Sequence, residues 1–149
     1  MNIKEELYKS CLEFINNRLL TVTTTISDIQ NSLQSETKSS AGDKHETGRA
    51  MLQLEREKAG NQLAEIEKQK EILQNINTES KHQRVAFGSV VFTSKANYFI
   101  AISAGEISLK DCKIYAISVA TPMAQLLLSK MVGDTIQFRD DVFTITKIE

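Results

Sequence analysis

The sequence has few of the residues that mark metal sites, disulfide frameworks or membrane spans. Its two cysteines, Cys11 and Cys112, are far apart and lack the paired spacing of a metal-binding motif. They are expected to be free, inert thiols, which suit a reducing cytosol. No apolar run approaches the ~20 residues of a membrane span, and the segment MNIKEELYK carries acids where a signal peptide would be basic. These absences predict a cytoplasmic protein without membrane contact.

The sequence also lacks an excess of charge of either sign. Its 149 residues include 18 Lys and Arg against 19 Asp and Glu, which gives a net charge of -1. Overall charge therefore gives no reason to expect nucleic-acid binding through a broad basic surface. No nucleophilic triad, phosphate-cradling glycine loop or Cys/His cluster is recognisable. The chain is not expected to be an enzyme on its own.

The first half of the chain is typical of a long helical hairpin. Apolar residues alternate at intervals of four and three, the seam of a coiled coil, at Tyr8, Leu12, Ile15, Leu19, Val22, Ile26, Ile29 and Leu33. A polar stretch around Gly42 interrupts the seam, and a second helical pattern follows at Leu52, Ala59, Leu63, Ile66, Leu73 and Ile76. Residues 1–78 are therefore predicted to form an antiparallel coiled-coil hairpin with arms of roughly 45 Å. On periodicity alone, a dimerising or bundle-forming coiled coil is the alternative.

After residue 78 the pattern changes to short runs of β-branched and aromatic residues. Five runs predict strands, namely VAFGSVVFT, YFIAIS, KIYAISV, DTIQF and VFTITKI. Among them, a short helix is predicted with Thr121 as its N-cap, Pro122 at its first position and Gly133 closing the turn that follows. Residues 79–149 are thus predicted to form a second domain with an antiparallel sheet and one short helix, which places the whole chain in the α+β class.

Three segments, read in order, carry a resemblance to a known family. Gly42–Thr47 has a glycine, an acid, two intervening residues and a second acid; Thr121–Leu127 begins a helix with Thr-Pro; Lys130–Asp134 reads Lys-Met-Val-Gly-Asp. Together with Phe87-Gly88-Ser89, this order resembles the Gre family of bacterial transcript-cleavage factors over nearly the whole chain. The resemblance implies an FKBP-like C-terminal domain that docks at the rim of the secondary channel of RNA polymerase, while the hairpin inserts into the channel.

The resemblance also implies roles for individual residues. Asp43 and Glu46 would be the functional acids, acting in trans at the polymerase active site and contacting Mg²⁺ shared with it, with no cofactor bound by the chain alone. The implied docking residues are Thr121, Pro122, Lys130, Gly133 and Asp134, and the accessory residues of the tip are Lys44, His45 and Arg49. The implied partner is bacterial RNA polymerase, with the 3′ end of the nascent RNA contacted indirectly, and a monomer is expected.

Two carboxylates three residues apart have a chemistry that does not depend on the family. On one helical face, Asp43 and Glu46 can contact one divalent cation and orient a water for phosphodiester hydrolysis. The same residues also match a capping box, in which Asp43 accepts from a backbone N–H and Glu46 reaches back to the cap. Their position at the end of a hairpin favours the functional interpretation.

The tip departs from the family pattern and leaves several functions open. Lys44 stands where the family commonly has an apolar residue, and Thr47-Gly48-Arg49-Ala50 replaces the usual continuation. Retention of both acids favours a cleavage factor, whereas Lys44 and the altered tip favour a regulator that occupies the channel without cleavage. An FKBP-like prolyl isomerase or chaperone, and an adaptor that oligomerises through its hairpin, are the alternatives from other classes.

Overall fold

The computed structural model describes residues 2–38 and 42–149, and the side chains of residues 2–35 and 47–149. Two long helices come first, α1 (Ile3–Lys38) and α2 (Gly42–Gln74). The remaining elements are β1 (Val90–Thr93), β2 (Asn97–Ala101), β3 (Gly105–Ser108), β4 (Lys113–Ser118), α3 (Pro122–Leu127), β5 (Thr135–Phe138) and β6 (Asp141–Ile148). This order confirms the predicted α+β class.

The chain divides into two compact units. One contains Ile15–Lys70, and the other contains Met1–Phe14 together with Glu71–Glu149. Both long helices therefore contribute residues to both units. The predicted domain boundary between residues 78 and 79 lies between the end of α2 and the start of β1, and it stays a prediction.

The unit of residues 15–70 is built around an apolar seam. The buried side chains of this seam are Ile15, Val22, Ile26 and Ile29 of α1 and Ala59 and Ile66 of α2. The Arg18 Nη1 atom donates to Gln69 Oε1 at 2.9 Å, so the early part of α1 lies beside the late part of α2. This arrangement confirms the predicted antiparallel hairpin. The predicted reversal around Gly42 includes residues 39–41, which lie outside the described residues.

The threonine run of α1 is held within the helix by its own hydroxyls. The Oγ1 atoms of Thr21, Thr23 and Thr25 donate to the backbone oxygens of Asn17, Leu19 and Thr21, at 3.1, 2.7 and 3.0 Å. Bonds of this kind satisfy exposed hydroxyls within a helix, although they compete with the backbone and weaken helix propensity. They explain how a run of β-branched residues continues a helix whose apolar seam is unbroken.

The second unit contains one six-stranded sheet in the order β3-β4-β2-β1-β6-β5. All neighbouring pairs are antiparallel except β2 and β4, which are parallel and align Tyr98 with Tyr115. The sequence predicts an antiparallel sheet. The observed sheet is mostly antiparallel, with one parallel pair. The sheet has six strands, whereas the sequence predicts five. The strand that the sequence pattern misses is β3, which is short, has one buried residue, Ile107, and gives no clear alternating pattern.

Helix α3 covers one face of the sheet. Its buried residues Met123, Ala124 and Leu127 belong to one hydrophobic cluster with the strand residues Val91, Ile100, Ile136, Phe143 and Ile145 and with Val85. The start of α1 and the end of α2 belong to the same compact unit, and their Leu7, Cys11 and Leu73 are fully buried. Within the described residues, no helix is long and apolar enough to cross a membrane.

The substitution Leu127→Ala tests the packing of α3 against the sheet. Leu127 is 0% exposed, so its truncation is expected to lower the free energy of unfolding by about 2–5 kcal/mol through lost burial and a cavity. The matched control is Leu126→Ala in the same turn, where the side chain is 37% exposed and the expected change is within about 0.5 kcal/mol. Urea denaturation of both variants measures the difference. Equal losses would contradict the packing described here.

Candidate functional site

The two acids of the predicted tip fall at the start of α2. Because α2 begins at Gly42, the backbones of Asp43 and Glu46 belong to its first turns. The side chains of Asp43, Lys44, His45 and Glu46 lie outside the described residues, so the choice between a capping box and a metal-binding pair stays open. In sequence, these four residues come shortly after residues 39–41, which separate α1 from α2.

Arg49 follows the acids along α2. It is exposed, as is Thr47, and both residues make further interactions within the chain. An arginine in this position has its guanidinium on the surface of the helix end, where it can pair with a carboxylate or a phosphate. Its predicted accessory role at the tip stays a prediction.

The second set of candidate residues begins at the N-terminus of α3. Thr121 has extended dihedral angles, and its Oγ1 accepts from the Ala124 backbone N–H at 3.3 Å. The same hydroxyl donates to the Ser118 backbone oxygen at 2.8 Å. Pro122 takes the first helical position, where its missing N–H costs nothing. The predicted cap is therefore confirmed, and it fixes how Pro122, which is exposed, is presented to solvent.

The remaining candidates form a tight turn between α3 and β5. The Asp134 carboxylate accepts from the Met131 N–H at 2.8 Å, and the Asp134 N–H donates to the Met131 carbonyl at 3.0 Å. Gly133 has a φ of 93 degrees, a left-handed conformation that favours glycine, and its N–H donates to the Ile145 carbonyl at 2.8 Å. Gly133 and Asp134 thus hold the turn and anchor it to β6.

This turn presents apolar side chains that sequence reasoning did not single out. Met131 is 41% exposed and Val132 is 58% exposed, and the exposed Lys130 precedes them. The backbone of Lys130 is fixed, since its carbonyl accepts from the Val85 N–H at 2.9 Å. Two exposed apolar residues beside a cation on a rigid turn make a surface suited to a protein partner. We call Lys130, Met131 and Val132 the turn patch.

The described residues contain no group of three or more His, Cys, Asp or Glu side chains that could hold a metal ion. Both cysteines are free, and burial raises the pKa of the Cys11 thiol to about 12. Cys11 therefore stays protonated and unreactive at neutral pH.

Comparison with known proteins finds a weak similarity to a solved structure. No family model and no curated protein matches the sequence. Among solved structures, the chain is similar to the structure of the transcription factor Gfh1, with 21% identity, coverage of 91% of each chain and a TM-score of 0.36. At this identity and TM-score, the likeness does not assign a function to the chain.

The substitution Thr121→Ala tests the cap that orients the N-terminus of α3. Loss of the hydroxyl removes the acceptor for the Ala124 N–H, so the free energy of unfolding is expected to fall by about 1 kcal/mol. Thr121→Ser retains the hydroxyl and is expected to recover most of this loss. Thermal and urea denaturation of the two variants measure the difference, and equal stability of both would show that the cap contributes nothing.

Proposed function

We propose that this chain is a transcription factor of the Gre type, which binds RNA polymerase and stimulates cleavage of backtracked nascent RNA. The observation that carries the proposal is the position of Asp43 and Glu46. Both follow directly after the connection between helices of 36 and 33 residues, and residues three apart on a helix share a face. A carboxylate pair in this position lies at the start of α2, at the end of the two-helix unit where the two helices are joined in sequence.

The length of the hairpin suits delivery of these acids to a recessed centre. Within the unit of residues 15–70, the α1 segment from Ile15 to Lys38 extends roughly 35 Å at ~1.5 Å per residue. The seam residues of α1 and α2 are buried within one chain, and the Arg18–Gln69 hydrogen bond joins the two helices. The large apolar side chains of this unit that stay exposed among the described residues are Leu20, Met51 and Leu54. Burial of the seam itself needs no second copy, which favours a monomer.

In this proposal the acids act on the reaction of the polymerase. Asp43 would contact a divalent cation, and Glu46 would help to hold the cation or orient the attacking water through its carboxylate. Mg²⁺ shared with the polymerase would stabilise the developing charge on the phosphodiester and lower the pKa of the bound water. Two carboxylates are donors that Mg²⁺ accepts, with water and phosphate oxygens completing its coordination. The chain alone is then inactive towards RNA.

The turn patch and the capped start of α3 are proposed to dock on the polymerase. The apolar side chains of Met131 and Val132 supply area, and Lys130 supplies a charge at the edge of the surface. Thr121, Gly133 and Asp134 act indirectly in this scheme, because their hydrogen bonds set the backbone of α3 and of the turn. A polymerase surface with exposed apolar residues and an acidic group would complement this patch.

A regulator that occupies the channel without cleavage is the second candidate. Two features of the tip sequence favour it. Lys44 brings a cation beside the two acids and weakens their attraction for a metal ion, and Thr47-Gly48-Arg49-Ala50 replaces the usual continuation of the family. Both candidates require binding to the polymerase, and they differ in whether the RNA is shortened.

Cleavage of RNA in a stalled, backtracked elongation complex, assembled with polymerase from the same organism, tests the proposal. The wild-type chain is expected to shorten the RNA, and Asp43→Asn or Glu46→Gln is expected to slow cleavage by roughly 100-fold or more, as for groups that stabilise a transition state directly. Glu57→Gln, an exposed acid of α2 outside the tip, is the control and should cleave like the wild type.

Binding is measured in the same complexes, so that the outcomes separate the two candidates. Binding without cleavage would replace the cleavage factor with the channel-occupying regulator. No binding would exclude both.

A further inference from the structure

A buried polar cluster lies where the start of α1 meets the segment that leads into β1. Among the described residues, Lys4 and Ser89 are buried polar or charged residues, with 3% and 0% exposure. His82 lies seven residues before Ser89, on the segment that leads into β1, and is half-buried. All three belong to the compact unit that contains the sheet. Polar groups this deeply buried are stable only if their hydrogen-bonding capacity is satisfied.

The hydrogen bonds of the cluster form a connected chain. The Lys4 Nζ atom donates to the Ser80 backbone oxygen at 2.6 Å, and the Ser80 hydroxyl donates to the Asn77 backbone oxygen at 2.9 Å. The His82 Nε2 atom lies 3.5 Å from Ser80 Oγ, and Nδ1 lies 2.5 Å from Ser89 Oγ. Ser89 Oγ also accepts from the Ala86 N–H at 2.9 Å. Within this chain of bonds, the two contacts of the His82 ring join the turn at residues 77–80 to the turn at residues 86–89.

The partners of the two serine hydroxyls favour one protonation state of the imidazole. The hydrogen of the Ser80 hydroxyl is used on Asn77, so Ser80 Oγ is an acceptor towards His82 Nε2–H. Nδ1 of the neutral ring is then the acceptor for the Ser89 hydroxyl. Neutral His82 with its proton on Nε2 satisfies every member of the chain. In a doubly protonated ring, Nδ1–H would have to donate to Ser89 Oγ, and the Ser89 hydrogen would lose its acceptor at a site with no exposure to solvent.

The charges around the ring also disfavour a cation there. Lys4 of α1 is the cation that faces His82, and the acid that attracts Lys4 is Glu149, whose backbone pairs with Val90 of β1. Apolar atoms also lie near the ring, since a methyl group added at Gly88 would lie 3.5 Å from Ile76 Cγ2 and 3.8 Å from His82 Cε1. The flanking charges Glu79 and Lys81 are exposed. Burial, and then Lys4, lower the pKa of His82 below 6.5.

We propose that His82 is a pH-sensitive latch, which joins the turn at residues 77–80 to the turn at residues 86–89 when neutral and releases them when protonated. The latch stands independently of the proposed function in transcription. Since the folded-state pKa is below that of the unfolded chain, the stabilisation is complete above pH 6.5 and is lost as pH falls through the folded pKa. Acidification therefore opens this cluster before the hydrophobic core of the sheet is affected.

Exchange of the backbone amide hydrogens tests the latch, with opening constants corrected for intrinsic exchange. For the Ala86 N–H, which donates to Ser89 Oγ, the opening constant of the wild type is expected to rise by up to about tenfold per pH unit below the folded pKa, as for release by one proton. His82→Gln has no titrating group, so its opening constant should be independent of pH in this range. The sequence has two histidines, which makes His45→Gln the matched control, and it should behave like the wild type.

A second measurement is made on the wild-type protein and needs no substitution at His82. Nitrogen NMR of the wild-type imidazoles is expected to show His82 as the neutral Nε2–H tautomer at neutral pH, with a pKa below 6.5; the two histidine signals are assigned from His45→Gln. An Nδ1–H tautomer, a His82 pKa at or above 6.5, or the same pH dependence of Ala86 exchange in His82→Gln would overturn the latch.

Discussion

The sheet depends on one constraint, which is that its central strands bury side chains on both faces. Consecutive residues of a strand point to opposite faces, and the pairs Val90 and Val91 in β1 and Phe99 and Ile100 in β2 are all 0% exposed. Two covering layers are therefore needed. Helix α3 supplies one of them through Leu127 and its neighbours. The compact unit also includes the start of α1 and the end of α2, so the long helices are part of the folding unit that contains the sheet.

This constraint explains why the candidate surface residues are held in fixed positions. The turn that carries Met131 and Val132 is tied to β6 through Gly133 and to the segment before β1 through Lys130. The capped start of α3 is fixed because the helix has to place Leu127 in the core. Burial on one side thus determines what is exposed on the other. A surface built in this way binds a partner with little loss of conformational entropy, because its backbone is already ordered.

Local patterns predicted much of this structure. The seam from Ile15 to Ile29 and the cap at Thr121 depend on residues close in sequence, and both are confirmed. Near the start of α1, however, Tyr8 and Leu12 are only half-buried, while Leu7 and Cys11 are fully buried. Residues 1–14 belong to the compact unit that contains the sheet, so the set of buried residues changes there from that of the seam in residues 15–70.

Other features depend on contacts that no local pattern reports. The parallel pairing of β2 with β4 follows from the position of β3 at the edge of the sheet. Lys4 reaches a carbonyl 76 residues away, although lysine is ordinarily a surface residue.

The different exposure of the two cysteines has a practical consequence. Cys11 is inaccessible inside the unit, whereas Cys112 lies partly exposed between β3 and β4. A maleimide dye would therefore label the native protein at one place, which makes the unmodified sequence suitable for fluorescence measurements of its complexes.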